Sequence, residues 1–123
     1  MVFTNYGKQA VAWAIGSDIP NNYISYFAVG SGSGTEAVTN VTLVNEFKRF
    51  PITGSPDFTT DRKVIFQGDL SSISASGLIL KEWAMLASGT ALTGSVWQRE
   101  QLTGSLVFDG TLELSIENAI EVV

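Results

Sequence analysis

Apolar and polar positions along the chain change their period once, just after residue 16. Before that point Tyr6, Ala10, Trp13 and Ala14 recur near every 3.6 residues, the spacing of one helix face. The pattern predicts a helix over Asn5–Ile15, with Asn5 as its N-cap and Gly16 as its stop. Ala10, Ala12 and Ala14 favour it, and Gly7 weakens it. Ser17, Asp18, Ile19, Pro20, Asn21 and Asn22 compose a turn.

Beyond the turn the signals are those of strands. Residues 23–29 are aromatic and β-branched, and Gly30-Ser31-Gly32-Ser33-Gly34 ends them, glycine being free to take φ > 0. A loop follows over 31–40 and one helical turn over 41–45. Residues 46–52 alternate, with Phe47 and Arg49 on one side and Glu46, Lys48, Phe50 and Ile52 on the other. Pro51 marks an edge strand there. Val64, Phe66 and Gly68 alternate against Ile65, Gln67 and Asp69 over 63–70, and the serine-rich 70–77 reads as an exposed connection. Two strands, 78–86 around Trp83 and 93–101 around Trp97, flank a Ser88-Gly89 hairpin turn. Asp109-Gly110 between alternating runs predicts a two-residue type I′ hairpin over 106–116. The tail 118–123 reads as a last short strand or a partner-facing arm.

Six or seven strands, turns every 8 to 15 residues and no βα alternation predict a mainly β fold. The expectation is a small antiparallel β-sandwich or barrel-like domain with one N-terminal helix. At 123 residues it is a single domain.

Composition narrows the function. Hydrophobic residues make up 45% and charged ones 15%, too apolar for disorder and light in charge for a fully solvated surface. Only seven Lys and Arg against twelve Asp and Glu give a net charge of −5, which argues against binding along a nucleic-acid backbone. Without Cys or His the chain lacks disulfides, thiol nucleophiles, the usual zinc ligands and a histidine base. Neither a signal peptide nor a membrane-spanning run is visible.

Candidate chemistry is sparse. The glycine-serine run lacks the following Lys-Ser/Thr of a phosphate loop and the spacing of a dinucleotide fingerprint. Asp57, Asp61 and Asp69 are too scattered for a calcium loop, so no metal or cofactor is expected. Glu46, Asp69, Glu82 and Glu100 sit in apolar or mixed segments, but their spacing makes no glycosidase-type pair. Glu46, Arg49, Glu82 and Arg99 read instead as an internal polar brace, arginine being the usual bidentate partner of a carboxylate. Trp13, Trp83 and Trp97 sit in apolar patterns and read as core, with a protein interface and then sugar stacking as alternatives. Segments 46–52, 70–77 and 117–123 each offer a strand edge that assembly would cover.

The order of segments resembles the N-terminal domain of tail-collar fibre and baseplate-associated proteins of tailed bacteriophages. The likeness begins in Thr4-Asn5-Tyr6-Gly7 leading into an alanine-rich helix and continues through Phe27-Ala28-Val29-Gly30-Ser31-Gly32-Ser33-Gly34. Leu43-Val44-Asn45-Glu46-Phe47-Lys48-Arg49 is similar to that family's Leu-x-Asn-Glu-x-x-Arg segment. Leu80 to Leu86 sits where the family has an Ile-x-Glu-x-Gly-Leu-like strand, with Ala84 in place of a common glycine. Trp97-Gln98-Arg99 matches its aromatic-x-Arg strand. The resemblance implies a non-enzymatic virion protein, an adaptor or ring subunit of tail, neck or baseplate. Its partners would be other phage structural proteins and copies of itself, met through loops 30–40 and 51–61 and a terminus, without nucleic acid or membrane. A capsid decoration protein and a carbohydrate- or receptor-binding module are the alternatives.

Overall fold

The computed structural model describes residues 2–16, 23–89 and 95–122. Its elements are β1 (Val2–Phe3), α1 (Asn5–Ile15), β2 (Tyr26–Gly30), β3 (Glu46–Pro51) and β4 (Lys63–Leu70), then α2 (Ser72–Ala75), β5 (Ile79–Leu86), β6 (Val96–Val107) and β7 (Leu114–Glu121). The strands form a five-stranded sheet in the order β1-β6-β5-β2-β3 and a two-stranded ribbon, β4-β7, with every pairing antiparallel. The fold is thus mainly β, with two sheets and an N-terminal helix, and the sheets do not close into a barrel. The turn assigned to 17–22 lies outside the described residues, as does part of the turn after Gly89.

The core lies between sheet and ribbon. Phe27, Val29, Phe50, Trp83 and Met85 of the sheet meet Phe66, Leu70, Leu114 and Ile116 of the ribbon. Alternation along β4 and β7 produces this, since every second residue faces inward. Phe27 stacks on Phe50 at 6.0 Å between ring centroids.

Helix α1 is capped by Thr4 rather than Asn5. The Thr4 hydroxyl accepts from Gly7 N–H at 3.1 Å and donates to the Val96 carbonyl, and Thr4 N–H donates to Trp97 O at 2.8 Å. One threonine therefore caps the helix and ties it to β6. Gly7, unfavourable for the helix by propensity, is explained by that contact. A Cβ there would stand 2.6 Å from Trp97 O, so only glycine lets the helix lie this close. Of the predicted inner face, Ala10 is fully buried, Tyr6 and Trp13 are half-buried and meet edge-to-face, and Ala14 is exposed.

Three local expectations are corrected. Residues 41–45 form no helical turn; their amides turn inward to a side chain described below. The stretch 70–77 is not a bare connection, because Ser71 caps the short helix α2 and Ala75 is fully buried. Asp109-Gly110 makes a corner rather than a hairpin: β6 pairs with β5 in the sheet, whereas β7 pairs with β4 in the ribbon. Phe108, 2% exposed, fills the core there, and its N–H donates to Leu78 O. Gly110 does take positive φ, and the Asp109 carboxylate accepts from Thr111 N–H and Oγ1–H. The turn chemistry is real, but a buried phenylalanine redirects the chain across the sandwich.

Candidate functional site

The face of the large sheet turned away from the main core carries the most connected polar group among the described residues. Strand register sets Gln101, Glu82, Gly30 and Glu46 in one row across four strands, and Arg99, Ala84, Ala28 and Arg49 in the next. Residues 31–45 pass over this face, where Leu43 packs with Ala28, Ala84, Leu86 and Val96 in a second apolar cluster.

Glu82 is the hub. Its Oε1 accepts from Val44 N–H at 2.8 Å and from Arg99 Nε and Nη2 at 3.4 and 3.3 Å. Its Oε2 accepts from Gly32 N–H at 2.7 Å and Asn45 N–H at 2.8 Å. Both side chains of the Glu82–Arg99 pair are wholly buried. Arg99 also donates to Asn40 Oδ1 and Gln101 Oε1, and Gln101 donates to the carbonyls of Gly32 and Lys81. Glu36 closes the circuit by accepting from Gln101 N–H at 2.8 Å. A buried charge is tolerable when paired and fully hydrogen-bonded, and this one is. Among the described residues no buried side-chain nitrogen or oxygen lacks a partner.

The hub accounts for the glycine-serine run in a way the sequence did not suggest. Gly30, Gly32 and Gly34 are not among the glycines with positive φ. What demands glycine is the carboxylate at Gly32 and the Asn45 carbonyl together with the carboxylate at Gly30, while Gly34 is under no such constraint. A Cβ on Gly32 would stand 2.3 Å from Glu82 Oε2, and one on Gly30 would stand 2.3 Å from Asn45 O. Side chains at either position would push the loop off its acceptor.

Glu46 and Arg49 form a second ion pair, Nε donating to both carboxylate oxygens at 3.0 Å, with each side chain only 2% exposed. Simple alternation sets these residues on opposite sides of the strand. A bulge brings them together: Val29 pairs with Lys48 but Gly30 pairs with Glu46, which leaves Phe47 as the extra residue. Arg49 Nη1 also donates to Ser88 O at 2.8 Å. The four residues read as one brace are therefore two pairs, lying on the same sheet face and separated by Ala28, Ala84 and Gly30.

The tryptophans do not form a platform. Trp83 and Trp97 are 9% and 8% exposed within the main core, and Trp13 is half-buried beside Tyr6 on the helix. Sequence reasoning passed over Gln101, Asn40 and Glu36. The one available signal was the placement of Gln101 two residues after Arg99, hence on the same strand face. No family model, curated protein or solved structure matches the chain.

Proposed function

We propose that the chain is a non-enzymatic structural subunit of a tailed-phage particle, an adaptor or ring component of tail, neck or baseplate that joins neighbouring virion proteins. The observation that carries the reading is the loop 31–45. It is fastened from beneath by Glu82 and Gln101 and from the side by Val38 O, which accepts from Asn5 N–H at 2.7 Å. Yet it turns Val38, Val41 and Val44 outward, with Phe47 of β3 following, and Val41 and Val44 are 57% and 58% exposed. Apolar side chains on a rigid loop suit a permanent interface, because little ordering entropy is lost when a neighbour arrives. Both oxygens of Glu82 are occupied by this fastening, so its chemistry is spent on shape. The likeness of segment order to tail-collar and baseplate-associated domains supplies the kind of particle.

Light scattering over a wide concentration range tests the reading. A closed oligomer of fixed stoichiometry is expected. Val41→Asp with Val44→Asp, both on exposed positions, is expected to dissociate it to a monomer that keeps the native circular dichroism spectrum and loses the concentration dependence of its melting temperature. A strict monomer that also fails to join virion proteins in a co-assembly reaction would sink it.

A further inference from the structure

A groove runs between helix α1 and the β4–β7 ribbon, on a different part of the molecule from the loop 31–45. It has a volume of about 550 Å³ and is lined by Val11 and Ala14 of the helix, Val64 and Ile120 of the ribbon, and Phe66 and Trp97, among other apolar side chains. Phe58, Val64 and Ile120 also line an adjoining hollow of about 310 Å³, so the two form one continuous trough. That second hollow is chemically different, for Arg62 and Lys63 stand on its wall. The chain has only seven basic residues, and neither of these two makes an ion pair among the described residues. Asp61 shares the mouth and Glu121 stands opposite Lys63 across the ribbon, so Arg62 is the cation there with no facing carboxylate of its own in the strand register.

Arg62 stands out in backbone as well. Its φ is +60°, a left-handed conformation that an arginine adopts at a cost and a glycine without one. The turn is held by Lys63 N–H donating to Thr60 O at 3.2 Å and by Arg62 O accepting from Val122 N–H at 2.8 Å. A strained side chain at the end of an apolar trough is the pattern of a site in which the side chain itself is wanted.

We propose that the trough binds a small amphipathic anion, an aliphatic or aromatic body ending in a carboxylate. The body would lie against Trp97, Phe66 and Val11, and the carboxylate would meet Arg62. The volume is that of a small-molecule site, mostly apolar with a few polar groups fixing orientation. Opposite charge at one end selects an anion over a neutral chain of the same length, and a guanidinium holds a carboxylate by paired hydrogen bonds.

Decanoate and decan-1-ol serve as matched probes, followed by calorimetry and by tryptophan emission, since Trp97 lines the trough. Saturable one-to-one decanoate binding is expected, with decanol about tenfold weaker, the loss of one charge-assisted hydrogen bond. Arg62→Gly is expected to weaken decanoate to the level of decanol while holding or raising the melting temperature, a combination that a merely structural arginine would not give. Ala14→Trp, at an exposed helix position facing the trough, is expected to block both probes. Equal affinity for the two probes, or no binding by the native chain at millimolar concentration, would overturn the proposal. So would a native dimer that Ala14→Trp dissociates, since the trough would then be an interface between copies.

Discussion

Glu82 shows how one side chain can dictate residues fifty positions away. Its carboxylate takes the amides of Gly32, Val44 and Asn45 and the guanidinium of Arg99, the Gly32 and Arg99 contacts wholly out of solvent. Glu82→Ala removes an acceptor from three amides and leaves Arg99 buried without its counter-charge, a loss of about 3–5 kcal/mol. Replacing both partners by Glu82→Leu with Arg99→Met removes the stranded charge, so part of that loss should return. The loop amides stay without an acceptor in the double variant, so their protection should not return. Urea denaturation paired with hydrogen exchange at Gly32, Val44 and Asn45 separates the two effects. Full recovery of both in the double variant would mean that the carboxylate does not hold the loop.

At the scale of the element, β3 is governed by its bulge. The extra residue Phe47 rotates Glu46 onto the face of Arg49, and the pair closes with both side chains nearly buried at an otherwise open edge. Glu46→Ala leaves Arg49 with the Ser88 carbonyl but without its carboxylate, a loss of about 1–3 kcal/mol, smaller than that for Glu82→Ala. Denaturant midpoints in the reverse order would overturn this ranking. The bulge also marks where the sequence stopped being legible. Strict alternation placed β4 at Lys63–Leu70, and aromatic and β-branched runs located β2 and β5 to within a few residues, whereas β7 at Leu114–Glu121 was divided between a hairpin return ending at 116 and a separate tail. Alternation cannot report an inserted residue, so it set Glu46 and Arg49 apart. Nor can local turn chemistry report which sheet the chain enters next. Asp109-Gly110 has the residues of a hairpin, and only Phe108, buried beside Leu78, sends the chain to the ribbon. At the candidate site the glycine run was visible, but its cause was not, since the carboxylate that excludes a Cβ lies on β5.

At the scale of the whole molecule, three surface carboxylates contribute to acid sensitivity. Asp109 is held below the usual aspartate range by the Thr111 hydroxyl and amide. Asp57 is lowered likewise by the Thr59 amide and hydroxyl. Asp69 is lowered by the Ser115 and Thr53 hydroxyls. For a carboxyl whose pKa is lower folded than unfolded, the unfolded state binds more protons as the medium acidifies. Their contribution is therefore complete above the ordinary aspartate value and fades as pH falls through the lower folded values. Stability measured by urea unfolding should be level from neutrality to about pH 5 as far as these groups contribute, then decline below the ordinary aspartate pKa near ~3.9. Asp109→Asn should shallow the decline. An unchanged slope in that variant would show that the corner carboxylate has no part in it.

The same edge strand is a poor template for a further strand. A neighbour adding to the sheet by backbone pairing would have to follow β3 past a bulge, over the charged Lys48 and Arg49, to a proline with no amide to offer. Pairing of β3 with the β1 edge of a second copy would be open-ended, because each added copy would present a fresh β3 edge. By spoiling this strand as a template the chain removes one route to such a polymer, at the β3 edge of its larger sheet.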